Sequence, residues 1–252
     1  MSKAILVDTT RCIGCGACVS ACKETNGLPE NGDTQLTAET LNIVETHGEV
    51  LVRRFCMHCL DPTCASVCPV GAFQKTAAGP VVYDADRCMG CRYCMMACPF
   101  SIPRYEWNAV LPKVSKCTMC APRQAKGQQP ACTEACPVEA GIFGERDELI
   151  AEARRRIQEN PAGYVGHIYG EEEAGGTSVL YLSAVPFESL GFPVNVPHDP
   201  LPMYTYRVLS KIPNLVSLGG VLLGGIWWIT NRRSEVARAE AAGGGESEGD
   251  GR

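Results

Sequence analysis

Several kinds of chemistry have no foothold in this sequence. It contains no nucleophile motif, no phosphate-binding glycine loop and no dinucleotide fingerprint, so chemistry on an organic substrate has no visible home. A basic excess is missing too: 23 lysines and arginines stand against 28 acidic residues, and the net charge of -5 gives nucleic acid no electrostatic footprint. The opening MSKAILVDTT lacks the apolar core of a secretory signal peptide, and with it the usual setting of a disulfide-stapled fold. His47, His167 and His198 are scattered, with no metal-ligand spacing among them. Charge is absent from one stretch, Ile212 to Thr230, and its return at Arg232 and Arg233 marks that stretch off.

Against these absences stand 16 cysteines in 252 residues, none outside four groups of four. The first, CIGCGACVSAC, places Cys12, Cys15, Cys18 and Cys22 at the spacing C-x2-C-x2-C-x3-C. This is the loop that wraps a [4Fe-4S] cube in bacterial ferredoxins, where the fourth thiolate reaches a neighbouring cluster. Structural zinc more often takes two CxxC or CxxH pairs across a longer loop, and disulfide frameworks belong to short secreted chains. Iron-sulfur is therefore the reading of the cysteines, with a zinc-binding interaction module as its alternative.

The groups are one motif used four times. Cys88, Cys91, Cys94 and Cys98 repeat the first spacing and add Pro99. Cys56, Cys59, Cys64 and Cys68 widen the middle gap, and Cys117, Cys120, Cys132 and Cys136 widen it further. The front cysteines sit on a loop, and the C-x3-C-P end enters a short helix whose limit the proline marks. Between the second and third groups, VGAFQKTAAGPVVYDADR reads as a hairpin turning at Ala78-Gly79-Pro80, and VEAGIFGE after the fourth reads as a strand. Loop, helical turn and strand make the two-cluster ferredoxin unit, and two such units accommodate all sixteen cysteines.

The stretches DTTRCIGCGACVSACKETN and KCTMCAPRQAKGQQPACTEACP resemble formate dehydrogenase beta subunits, and HIYGEEEAGGTSVLYLSAVPFESLGFP resembles the ferredoxin-type subunit of hydrogenase-2-type complexes. The chain to about residue 230 thus resembles the four-cluster ferredoxin-like subunits of membrane oxidoreductases, which include dimethyl sulfoxide reductase iron-sulfur subunits. The resemblance implies an α+β fold of two double-cluster units, one inserted in the other. Residues 1–50 and 105–146 would form the first, residues 51–104 the insert. It further implies four [4Fe-4S] clusters with crossed ligation. Cys12, Cys15, Cys18 and Cys136 would hold one, and Cys117, Cys120, Cys132 and Cys22 its partner. Cys56, Cys59, Cys64 and Cys98 would hold a third, and Cys88, Cys91, Cys94 and Cys68 the fourth. The implied role is electron transfer without catalysis, between a NiFe hydrogenase or a molybdenum or tungsten formate dehydrogenase subunit and a membrane subunit that handles quinone. A soluble polyferredoxin shuttle is the alternative.

The remaining segments read as support. DELIAEARRRIQE places Leu149, Ile150, Ala153 and Ile157 on one helical face, with Asp147 as N-cap and Asn160-Pro161 as stop. Arg154 to Arg156 read as a solvated face, and His58, between two cysteines, as structural or as a support to the ligands. Residues 147–211 would serve subunit docking. Residues 212–230 read as one transmembrane helix, with Trp227 and Trp228 at its end and Gly220-x3-Gly224 as a docking face. The positive-inside rule puts Arg232, Arg233 and Arg238 in the cytoplasm and the cluster domain on the periplasmic side of the inner membrane, with the cytoplasmic face as alternative. A partner with a twin-arginine signal would then carry it across. Residues 231–252 read as a disordered tail.

Overall fold

A computed structural model describes residues 2–110 and 112–243, in two units that part at Met203 and Tyr204. The first unit is built around β1 (Lys3–Asp8), which leads through a short 3-10 turn into the first cysteine loop and α1 (Ala17–Asn26). Next come the hairpin β2 (Ile43–His47) and β3 (Val50–Arg54), then α2 (Thr63–Ser66) and the hairpin β4 (Phe73–Lys75) and β5 (Val81–Tyr83). After these follow α3 (Tyr93–Ala97), β6 (Arg104–Tyr105), β7 (Val114–Ser115), α4 (Ala121–Gln124) and α5 (Ala131–Glu134). The unit closes with β8 (Gly141–Glu145), α6 (Arg146–Glu159) and β9 (Val179–Leu182).

β1 is the centre of a three-stranded sheet, antiparallel to β8 and parallel to β9. Its run of apolar residues has a physical reason: alternate side chains leave opposite faces, and both faces are covered. Ala4 and Leu6 meet Leu149, Ile150 and Ala153 of α6 together with Leu180 and Leu182 of β9. Ile5 and Val7 enter the other core with Val179, Tyr181, Val52, Phe55 and the cysteines Cys56 and Cys117. The sheet therefore separates a helix layer from the layer that carries the cysteines.

The hairpin at Ala78-Gly79-Pro80, the strand of VEAGIFGE and the buried face of α6 occur where the sequence places them. Other expectations change. Asp147 lies in the first turn of α6, and Glu145 holds the cap position without a side-chain capping bond, its carboxylate paired with Lys3 at 2.5 Å. The arginine run is not simply solvated. Arg155 pairs with Glu152 and Glu159, but Arg156 reaches back 2.9 Å to Asp8, whose side chain is 1% exposed. Within residues 147–203, fully buried β9 belongs to the central sheet.

In the second unit, α7 (Leu201–Leu209) enters from the first and α8 (Ile212–Gly243) follows. α8 is long and apolar enough to cross a membrane, and none of its apolar window is buried by the chain itself. Its 32 residues span about 48 Å at 1.5 Å per residue. The helix does not stop at Thr230. Residues 231–243, expected in a disordered tail, continue it because SEVARAEAA is rich in helix formers and Asn231 and Arg232 bond forward to Glu235. The rest of that tail, 244–252, lies outside the described residues.

Candidate functional site

The four cysteine motifs share one backbone design. In the first C-x2-C pair of each motif the second intervening residue has positive φ: Gly14 at 69°, His58 at 49°, Gly90 at 75° and Met119 at 52°. Such left-handed turns gather successive N-H groups into a concavity, a nest suited to anions and to iron-sulfur clusters. Two of the four positions are glycine, which adopts this geometry freely. At His58 and Met119 it costs an L side chain about 1–2 kcal/mol.

The back halves repeat as well. The third cysteine of every motif lies on a helix: Cys18 on α1, Cys64 on α2, Cys94 on α3 and Cys132 on α5. In the last three motifs the fourth cysteine is followed by Pro-x and a left-handed residue, Gly71, Ser101 or Glu139. The N-H of that residue donates to the cysteine carbonyl, which closes a turn with proline at its second place. The first motif has Lys23 where the others have proline, so α1 runs on past Cys22 to a left-handed cap at Gly27.

Folding brings the cysteines together across motifs. One cavity is lined by Cys56, Cys59, Cys64 and Cys98, with His58 and Lys116 in its wall. A second is lined by Cys22, Cys117, Cys120 and Cys132. Each gathers three thiols of one motif and the last thiol of another. The cavities adjoin along the chain, for Phe55 and Cys117 line one while Cys56 and Lys116 line the other. Packing follows the same pairs: α1 lies on α5, and α2 on α3. For the other two expected sets the gathering is partial. Cys12 faces Cys18, while Cys88 and Cys91 face Cys94, and Cys68 packs on the small core around Cys94. Cys15 is exposed and Cys136 half-buried.

The electrostatics of these thiols keep them neutral unless a cation joins them. Burial pushes the Cys22 and Cys64 thiols up to about 12 and Cys94 to about 11, and raises Cys59 and Cys117 well above the ordinary thiol range. Neighbouring thiols add to each rise. A desolvated thiol ionises only if a cation is at hand, and a coordinated iron is one, since coordination deprotonates a thiol outright. N-H donors already point at the sulfurs: Ala72 to Cys68 at 3.2 Å, Met119 to Cys117 at 3.2 Å and the Asn26 amide to Cys22 at 3.6 Å. Among the described residues no three His, Cys, Asp or Glu side chains converge closely enough to hold a single ion.

Residues that the spacing argument passed over also meet the cysteines. Lys116 is buried beside the first cavity, its ammonium 2.5 Å from the Val81 carbonyl and 2.9 Å from that of Cys117. Lys75 is pushed down to about 8 by burial, and its ammonium holds the His58 carbonyl at 3.0 Å. Arg53 is 4% exposed, and its charge partly holds back the rise that burial imposes on Cys18 and Cys22. Nothing but a tertiary fold could single these cations out among 23.

Comparison with known proteins identifies the cysteine motifs as iron-sulfur domains. Two family profiles described as 4Fe-4S dicluster domains match, one over residues 49–146 and the other over residues 11–72. The chain is 41% identical to a protein of Nitratidesulfovibrio vulgaris over 96% of this chain and 70% of the relative. It is 38% identical to the hydrogenase-2 operon protein HybA of Escherichia coli O157:H7, over 76% of this chain and 73% of the relative. To the formate dehydrogenase iron-sulfur subunit of Haemophilus influenzae it is 34% identical, over 86% and 77%.

Proposed function

The chain belongs to the 4Fe-4S dicluster family that includes HybA and the formate dehydrogenase iron-sulfur subunits, and on that footing we propose that it is a non-catalytic electron carrier with four [4Fe-4S] clusters. Bound clusters would supply one-electron storage and transfer. The chain's own residues hold the cysteines in crossed sets, keep water from the inner sulfurs and direct N-H donors at them. The ligand sets are Cys12, Cys15, Cys18 and Cys136; Cys22, Cys117, Cys120 and Cys132; Cys56, Cys59, Cys64 and Cys98; and Cys68, Cys88, Cys91 and Cys94. The observation that carries the reading is the pair of cavities in which the last thiol of one motif joins three of another. The same pairing of motif one with four, and of two with three, supports an inserted arrangement of the two double-cluster units.

The electron donor in this reading is a hydrogenase or formate dehydrogenase catalytic subunit, the kinds of complex named for the relatives, and the acceptor is a membrane subunit that reduces quinone. α8 supports the membrane side of the proposal, because an unburied apolar helix of this length has no use in a soluble shuttle. Arg232, Arg233 and Arg238 after the span support a reading in which that end is cytoplasmic and the cluster body lies on the periplasmic face of the inner membrane.

Crossed ligation is tested by Cys98→Ser and Cys68→Ser. Replacing Cys98 should damage the cluster of Cys56, Cys59 and Cys64 and spare that of Cys88, Cys91 and Cys94, and Cys68→Ser should do the reverse. Iron content and low-temperature EPR of the reduced proteins read the outcome. Damage confined in each variant to the cluster of its own motif would exclude the arrangement.

A further inference from the structure

Among the described residues, the buried side-chain nitrogens that find no hydrogen-bond partner number three: Nε and Nη2 of Arg53 and Nε2 of His58. Both residues adjoin the cysteine cavities. An unpaired donor in a protein interior costs about 1–3 kcal/mol, and an unpaired cation more, so an acceptor for each is expected.

Arg53 is held firmly. Its carbonyl accepts from the Tyr181 hydroxyl at 2.7 Å, and its guanidinium carbon lies 4.3 Å from the ring centre of Phe55, which lines the cavity of Cys22, Cys117, Cys120 and Cys132. Nη1 makes a long 3.5 Å contact with the Cys132 carbonyl. No carboxylate pairs with this cation among the described residues, and the thiols whose charge it feels most are Cys132 and Cys18, which belong to different ligand sets. Four thiolates around a cube leave a net negative charge, which is the counterion that this guanidinium otherwise lacks.

His58 reaches the neighbouring cavity differently. Its Nδ1 accepts the Val81 N-H at 2.9 Å, which leaves the ring proton on Nε2. Its carbonyl is fixed by the Ser178 N-H at 3.1 Å and by Lys75. The ring lines the cavity of Cys56, Cys59, Cys64 and Cys98, and Nε2-H has no acceptor in the protein. A left-handed backbone that glycine supplies in two other motifs is here accepted on a histidine.

We propose that Arg53 and His58 are donors to the clusters that raise their potentials, Arg53 shared between the clusters of Cys12, Cys15, Cys18, Cys136 and of Cys22, Cys117, Cys120, Cys132, and His58 serving that of Cys56, Cys59, Cys64, Cys98. The inference rests on the ligand sets proposed above. An N-H directed at a cluster sulfur stabilises the more negative, reduced state more than the oxidised one, and a cationic donor does so more strongly. Arg53 would thereby level the path between two successive one-electron sites.

The test uses the full chain, purified anaerobically with its clusters. With ¹⁵N-arginine or ¹⁵N-histidine incorporated, the reduced protein should show a ¹⁵N hyperfine coupling that Arg53→Lys or His58→Gln, grown with the same label, loses. In potentiometric titrations followed by EPR, Arg53→Met should shift two of the four components to lower potential, by about tenfold in the reduced-to-oxidised ratio, or about 59 mV for one electron. Arg53→Lys, which keeps the charge, should recover most of the shift. His58→Leu should move one component by about threefold, and His58→Gln, which keeps a donor, should restore it. Should Arg53→Met not assemble, the labelled wild-type spectrum and Arg53→Lys still decide. A chain with four intact [4Fe-4S] clusters but no such couplings and no shifts would overturn the inference and leave the carrier reading standing. A chain without the iron would overturn both.

Discussion

Left-handed residues recur at corresponding places in the motifs because a loop that turns around a cluster must present its N-H groups inward. Glycine makes that turn without strain, so Gly14 and Gly90 are easily justified, whereas His58 and Met119 need the surrounding packing to hold them. Gly79 serves another purpose. With φ at 117°, it closes the β4-β5 hairpin against β1, and a Cβ there would lie 2.4 Å from the Lys3 carbonyl oxygen. The Lys3 N-H bonds the Ala78 carbonyl at 2.9 Å, so backbone faces backbone and cannot yield. Gly79→Ala should cost about 2 kcal/mol or more and lower the apparent thermal midpoint by about 4–8 °C. Circular dichroism at a fixed scan rate checks this; an unchanged midpoint would show that the hairpin is not pinned to β1.

At the scale of elements, α6 does more than cover the sheet. Burying Leu149 and Ile150 contributes about 1.5–3 kcal/mol apiece, but the specific tie is Arg156 to Asp8. Asp8 ends β1 and caps the 3-10 turn that delivers Cys12, with Thr10 on one carboxylate oxygen and Arg156 and Tyr164 on the other. The helix thus braces the entry to the first cysteine loop. Arg156→Met leaves a buried carboxylate short of its cation and should cost about 3 kcal/mol, a drop of about 6–12 °C in apparent midpoint. Arg155→Met, at an exposed arginine whose partners are half-buried Glu152 and exposed Glu159, should cost well under 1 kcal/mol. Equal effects of the two substitutions would remove the bracing role of Arg156.

On the scale of the whole molecule, the division at Met203 and Tyr204 leaves every cysteine and the entire central sheet in the first unit. Ending the chain at Met203 should therefore yield a protein that stays in solution without detergent and retains full iron. The complete chain should partition with membranes or detergent, since Leu215, Leu222, Leu223, Trp227 and Trp228 of α8 are each more than 60% exposed. Ultracentrifugal fractionation with iron analysis reads both outcomes. Aggregation or loss of iron in the shortened chain would mean that α8 supports the cluster body.

Much of the site was legible in the sequence because a cluster loop is local: sulfur spacing over eleven residues is set by a few backbone turns, and no distant contact alters it. The same holds for the hairpin around Gly79 and the buried stripe of α6, each a short-range pattern. Spacing could not reveal β9 as a neighbour of β1, since parallel pairing joins residues some 170 positions apart through the core rather than through a turn. Nor could it separate Arg156 from Arg155, or Arg53 from Arg54, because charge in a sequence carries no address until packing decides which side chain water can reach. Sequence determined that four sets of thiols exist and how each loop is shaped; tertiary structure decided which buried cations and which lone imidazole face them, because burial and the loss of competing solvent arise only when distant segments close over the same cavity.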